Sequence, residues 1–129
     1  MRTLVHLLAG HTRWLVVLGL ALALLVPSAA SAVNQAATHQ VSIVEPSYDN
    51  TDTWTFEPNL LKIKVGDTVV WTNRGADPHD VTAEDQSFQS GGEGNMNPGD
   101  TFSFTFAAPG TFPYICAAHP WMRGTVVVE

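Results

Sequence analysis

The chain has 129 residues, with twelve Asp and Glu against six Lys and Arg and a net charge of −6. Past residue 32 only Lys62, Lys64, Arg74 and Arg123 offset those acids, which excludes nucleic acid as a partner because nothing balances the repulsion from phosphates. The acids serve solubility, or steer the protein toward a basic partner surface.

In chain order, Arg2, His6, His11 and Arg13 give a positive start, Trp14 to Val26 form an apolar run, and the small residues of PSAASA close it. That pattern predicts a secretory signal peptide over residues 1–32, cleaved after Ala32 in the pattern Ala30-x-Ala32. The run falls short of the roughly 20 apolar residues of a membrane span, so no membrane insertion is expected after cleavage; an uncleaved anchor is the alternative. No cysteine stands directly after the run, at the expected mature N-terminus, for lipid attachment, and no Arg-Arg pair precedes it. General export is therefore expected, to the periplasm or another extracytoplasmic space such as a thylakoid lumen.

Residues 33–40, VNQAATHQ, read as a flexible leader that includes His39. From residue 41 to Glu129 the chain is long enough for one core and too short for two domains. Period-two alternation dominates this stretch. Val41 and Ile43 share a face in QVSIVE, LKIKV (61–65) alternates with lysine, and TVVWTN (68–73) is β-branched and aromatic. A polar, Gly-rich loop covers residues 84–100. TFSFTFA (101–107) then sets Phe102, Phe104 and Phe106 on one face, APG (108–110) turns the chain into TFPYIC, and GTVVVE ends it. Short alternating strands with turn signals between them, and no helical period, predict an all-β domain, an antiparallel sandwich or small barrel.

The sole cysteine of an exported chain has no partner for an internal disulfide, so it is expected to be oxidised, paired with another molecule or held by a metal. Alternation puts Phe112, Tyr114 and Cys116 on one inward face, with Cys116 where the strand leaves the sheet. Ala117 and Ala118 are small enough for the chain to turn back, which brings His119 and then Met122 toward the thiol. His79 follows the strand TVVWTN and so lies in a loop at a strand end, and sandwich loops cluster at one pole. Taken singly, a lone cysteine is a small buried hydrophobe, a methionine is core filler and a histidine sits at the surface. Together, two imidazoles, a thiolate and a weak thioether are the ligand set of a type 1 (blue) copper centre. Thiolate and thioether suit Cu(I) and imidazoles suit Cu(II), so neither state demands rearrangement. Zinc is the weaker candidate because its structural sites take four strong ligands. Met96 is the rival thioether, in a loop with no evident tie to the cysteine strand.

PYICAAHPWMRGTVVVE resembles the C-terminal signature of the plastocyanin/amicyanin family of cupredoxins, and DPHDVTAEDQSFQSG is similar to their first-histidine loop. The likeness runs from about residue 40 to Glu129, with amicyanin-like spacing between His119 and Met122. It implies a Greek-key cupredoxin fold and places the family's copper ligands on His79, Cys116, His119 and Met122. It also implies a monomeric carrier of single electrons rather than an enzyme. Its redox partners, such as a cytochrome or a dehydrogenase, would dock on an apolar patch at His119, Pro120 and Trp121. Copper binding and delivery is the alternative function, and a metal-free binding sandwich a third. A copper enzyme would need histidines for a second metal that the chain lacks. Two departures stand out. Asp80 replaces the usual Asn beside the first histidine, so the bridge between the ligand loops is expected to be weakened or rewired. Ile115 replaces the aromatic that serves plant plastocyanins as a second electron port, with Tyr114 expected to point inward.

Overall fold

The structure is a computed structural model that describes residues 35–129. The expected signal peptide and the first two leader residues lie outside the described residues. Eight strands follow in order: β1 (Thr38–Val44), β2 (Thr55–Glu57), β3 (Leu60–Ile63), β4 (Thr68–Asn73), β5 (Thr82–Ala83), β6 (Thr101–Thr105), β7 (Gly110–Ile115) and β8 (Arg123–Val128). A single 3-10 turn at Thr51–Thr53 interrupts the passage from β1 to β2. Among the described residues no helix is long and apolar enough to cross a membrane.

The strands form two four-stranded sheets, ordered β2-β1-β4-β6 and β3-β8-β7-β5. The sandwich is as expected, but the sheets are mixed. β1 runs parallel to β4 and β3 parallel to β8, while the remaining neighbours are antiparallel. Alternation reports which face of a strand is buried and says nothing of its neighbour's direction. Between β1 and β4 the chain leaves the first sheet, contributes β3 to the second and returns, so β4 lies beside β1 in the same sense. The first strand also starts earlier than position 41. Thr38, His39 and Gln40 pair with Thr68, Val69 and Val70 of β4, and because their side chains are largely exposed they left no apolar signature.

The inward faces meet in an aromatic core. Trp71 of β4 stacks on Phe88 and Phe102 at 5.6 and 5.5 Å between ring centroids and meets Tyr114 of β7 edge-on at 5.5 Å. Tyr114 is buried, as expected, and meets Phe56 edge-on at 4.8 Å. Phe88 comes from the loop read as polar; it is buried and also stacks on Phe104 at 5.0 Å. One aromatic in a polar stretch has no periodicity to betray it, yet it packs on both Trp71 of β4 and Phe104 of β6.

Away from the pole where β4 and β7 end, Asp67 secures the turn into β4. Its carboxylate accepts hydrogen bonds from the amides of Ala37 and Lys64 at 2.8 and 3.0 Å and pairs with His39 Nε2 at 2.9 Å. Those two amides, followed by His39, hold its pKa down to about 2 from the ordinary 3.8. A folded-state pKa below the unfolded one means the stabilisation is present above the unfolded value and is lost as pH falls through the folded one. Asp67→Asn is therefore expected to lower the urea midpoint at neutral pH and to flatten the loss of stability between about pH 4 and about pH 2. Unfolding curves at several pH values check this.

Candidate metal centre

Three chain segments converge at one pole. His79 lies in the loop between β4 and β5, Cys116 directly follows β7, and His119 and Met122 lie in the turn before β8. That turn is fixed by its own backbone. His119 N–H donates to the Cys116 carbonyl at 3.1 Å, Met122 N–H to the His119 carbonyl at 2.9 Å, and Cys116 N–H to the Met122 carbonyl at 3.2 Å. Each of the three chemically active residues thus anchors the next. Pro120 keeps the turn compact without needing a donor.

The upstream loop is held as firmly. Buried Asn73, the last residue of β4, donates through its side-chain amide to the carbonyls of Asp77 and Met96 at 2.8 and 2.9 Å, and its Oδ1 accepts from Gly75 N–H at 2.9 Å. His79 and Met96 exchange backbone hydrogen bonds at 3.0 and 2.8 Å. The loop carrying Met96 is therefore tied to the first-histidine loop, a pairing across seventeen positions that the sequence did not signal. Met96 and Met122 are both buried.

Asp80 joins the two ligand-bearing segments. Its Oδ1 accepts from Ala117 N–H at 2.8 Å and the Thr82 hydroxyl at 2.9 Å; its Oδ2 accepts from Ala118 N–H at 3.0 Å and Gly94 N–H at 3.1 Å. An acceptor-only side chain is met here by donors alone, so the bridge is rewired onto backbone amides. Burial pushes the Asp80 carboxyl up, but the amides of Ala117, Ala118 and Gly94 and the Thr82 hydroxyl outweigh it and leave the pKa below its ordinary value. Asp80 N–H also donates to Cys116 Sγ at 3.4 Å.

The donor atoms face one another. Cys116 Sγ is 3.7 Å from His79 Nδ1 and 3.6 Å from His119 Nδ1, and the two Nδ1 atoms are 3.2 Å apart. Bonds of about 2.0 Å from a metal to imidazole and about 2.3 Å to thiolate, meeting at angles of roughly 100–120°, span such separations. Cys116 and His79 are fully buried. Burial above all, with Asp80 beside it, pushes the Cys116 thiol up to about 11, so a metal has to displace its proton. Burial first, then the His79 imidazole, lowers the His119 pKa and favours the neutral, ligating ring.

Two residues that the sequence did not mark complete the surroundings. Glu45, just past β1, accepts from His79 Nε2 at 2.8 Å. An ionised carboxylate only accepts, so Nε2 bears a proton, and in the neutral ring Nδ1 then keeps its lone pair toward the thiol. Burial raises the Glu45 pKa, and the amide bonds from Ala76 and Asp77 together with His79 bring it below normal. Trp54, buried between the 3-10 turn and β2, lies edge-on to His79 at 5.7 Å and to His119 at 5.1 Å. Trp121 also lies against His119, at 5.3 Å, is 45% exposed, and donates its indole N–H to the Thr51 carbonyl at 2.8 Å.

The chain matches the copper binding proteins of the plastocyanin/azurin family over residues 42–129. Amicyanin-alpha of Methylorubrum extorquens is 44% identical over 81 residues, covering 57% of this chain and 64% of that protein. Amicyanin of Paracoccus denitrificans is 43% identical over 81 residues, covering 57% and 58%, so the match spans less than two thirds of either relative. Plastocyanin of Scenedesmus fuscus is 34% identical over 84 residues, covering 57% and 86%. Among solved structures, a purple cupredoxin from Nitrosopumilus maritimus superposes with a TM-score of 0.63 at 36% identity, over 70% of this chain and 99% of that one. The reduced state of an amicyanin mutant gives 0.58 at 38% identity, over 71% and 82%. Matched over residues 42–129, and with two imidazoles and a thiolate converging at one pole, this chain belongs to the copper binding proteins of the plastocyanin/azurin family.

Proposed function

We propose that His79, Cys116, His119 and Met122 hold one type 1 copper ion and that the protein carries single electrons between redox partners, without substrate chemistry of its own. The observation that carries this reading is the spacing of the three strong donors, 3.2–3.7 Å, in loops already braced by backbone hydrogen bonds. When bound, the ion supplies a Cu(I)/Cu(II) couple that these mixed soft and intermediate donors serve in both states. Cys116 and the two imidazoles form the strong set, and Met122, one turn beyond His119, supplies the weak thioether. Asp80 and Asn73 keep the loops from following the change of charge, and the buried pole excludes water from the thiolate.

Electrons would enter and leave through His119, the least buried of the three strong donors, with Pro120 and Trp121 forming the apolar contact for a partner. A large exposed indole beside a ligand suits transient docking. We infer a monomer that works in an extracytoplasmic space after removal of residues 1–32, where a metal-bound thiolate escapes disulfide chemistry. The acids of the chain favour a basic partner.

The copper-loaded protein is expected to show an intense thiolate-to-copper absorption near roughly 600 nm, with reversible one-electron cycling at an electrode, and Cys116→Ser is expected to abolish the band. A colourless, copper-free product would contradict the assignment, and rapid loss of copper to a chelator would favour delivery over electron transfer. Met122→Gln is expected to retain copper and lower the potential, since an oxygen donor favours Cu(II), while Met96→Leu leaves the potential unchanged; protein-film voltammetry of both variants checks which thioether would be the weak ligand. Trp121→Ala is expected to slow electron exchange with a soluble basic redox protein about tenfold, the loss of one aromatic anchor, with spectrum and potential preserved.

A further inference from the structure

Glu45 belongs to neither ligand loop, yet its side chain is only 3% exposed and ends against the most deeply buried imidazole. Oε1 accepts from Asp77 N–H at 2.9 Å and from His79 Nε2 at 2.8 Å, while Oε2 accepts from Ala76 N–H at 2.9 Å. Every bond therefore goes to the segment that carries His79. Room for this carboxylate comes from Gly75. A Cβ there would collide with Glu45 Oε1 and the carbons behind it, although the glycine does not have a left-handed φ that would itself require glycine. The absent side chain thus serves the close approach of Glu45 rather than a turn.

We propose that Glu45 is a positioning residue for the metal centre, that its carboxylate fixes His79 with Nδ1 toward the ion and favours Cu(II), and that Gly75 is the residue that admits it. The inference rests on the copper reading above. A carboxylate accepting from the remote nitrogen of a ligating histidine fixes the ring's tautomer and orientation and raises its basicity. With both side chains shielded from solvent, the negative charge is weakly screened and stabilises the more positive oxidation state. Trp54, edge-on at 5.7 Å, restrains the ring but offers no acceptor to set the tautomer, because its own indole N–H donates to the Ser47 carbonyl at 2.8 Å.

Two variants separate charge from position. Glu45→Gln removes the charge and keeps the size; Gly75→Ala keeps the charge and pushes the carboxylate away from the ring. Loss of such an outer partner commonly costs about 10–100-fold in metal affinity. A tenfold loss confined to Cu(II) raises the potential by about 59 mV for one electron. Both variants of the copper-loaded protein are expected to shift upward by about that amount or more, and the double variant by no more than the larger single shift. In the metal-free protein, ring-nitrogen NMR is expected to show His79 wholly as the Nε2–H tautomer, and as a mixture after Gly75→Ala. Parent potentials in both variants, additive shifts in the double variant, or an unchanged single tautomer after Gly75→Ala overturn the proposal. Absence of the copper band in the parent protein instead overturns the copper reading, and the tautomer result then decides the role of Glu45 by itself.

Discussion

One buried carboxylate holds the metal pole together. Asp80 gathers three backbone amides, those of Ala117, Ala118 and Gly94, and the Thr82 hydroxyl, with the Cys116 thiol also 3.5 Å from Oδ2. Without that tie, the loop carrying His79 and the turn carrying Cys116 and His119 would be joined near the donors by the weaker bond from Asp80 N–H to Cys116 Sγ at 3.4 Å and by the contacts of the donor side chains themselves. An unpaired buried charge is costly, so a carboxylate held by three backbone amides and a hydroxyl makes the separation of the loops costly too. The donor triangle is thus a consequence of backbone bonding that exists before any ion arrives.

A second carboxylate works on the other side of the same imidazole. Glu45 accepts from three donors, all on the segment that carries His79, and both its side chain and that of Asp80 are buried. The pole therefore combines two buried negative charges with an aromatic wall of Trp54 and Trp121. Such a setting differs from a purely apolar one in a definite direction. Negative charge close to a metal favours its higher oxidation state, and weak screening prolongs the effect. In the proposed reading, the edge of His119 is where this enclosed site would meet a partner.

Much of this was legible in the sequence because it is periodic or closely spaced. Phe102, Phe104 and Phe106 announced a strand face, and Cys116, His119 and Met122 at three-residue intervals announced a turn folding back on a thiol. His79 was found because loops at strand ends share a pole in a sandwich. What escaped has no such regularity. The parallel pairings of β1 with β4 and β3 with β8 depend on which sheet the chain visits in between. Phe88 is a solitary aromatic in a polar loop, and Met96 is brought to His79 by a two-residue bridge. Glu45 reads as an unremarkable strand end, and only its collision course with a Cβ at position 75 reveals why a glycine stands there.

The central claim is that the fold, and not the ion, sets the geometry of the donors. High-resolution crystal structures of the metal-free and copper-loaded protein test it directly. The account predicts that the separation of the two Nδ1 atoms, 3.2 Å, and their separations from Cys116 Sγ, 3.7 and 3.6 Å, persist between the two forms to within about 0.5 Å, the tolerance of a preorganised site. Imidazole rings swung apart in the metal-free crystal, closing on the thiol only when copper is present, would contradict it.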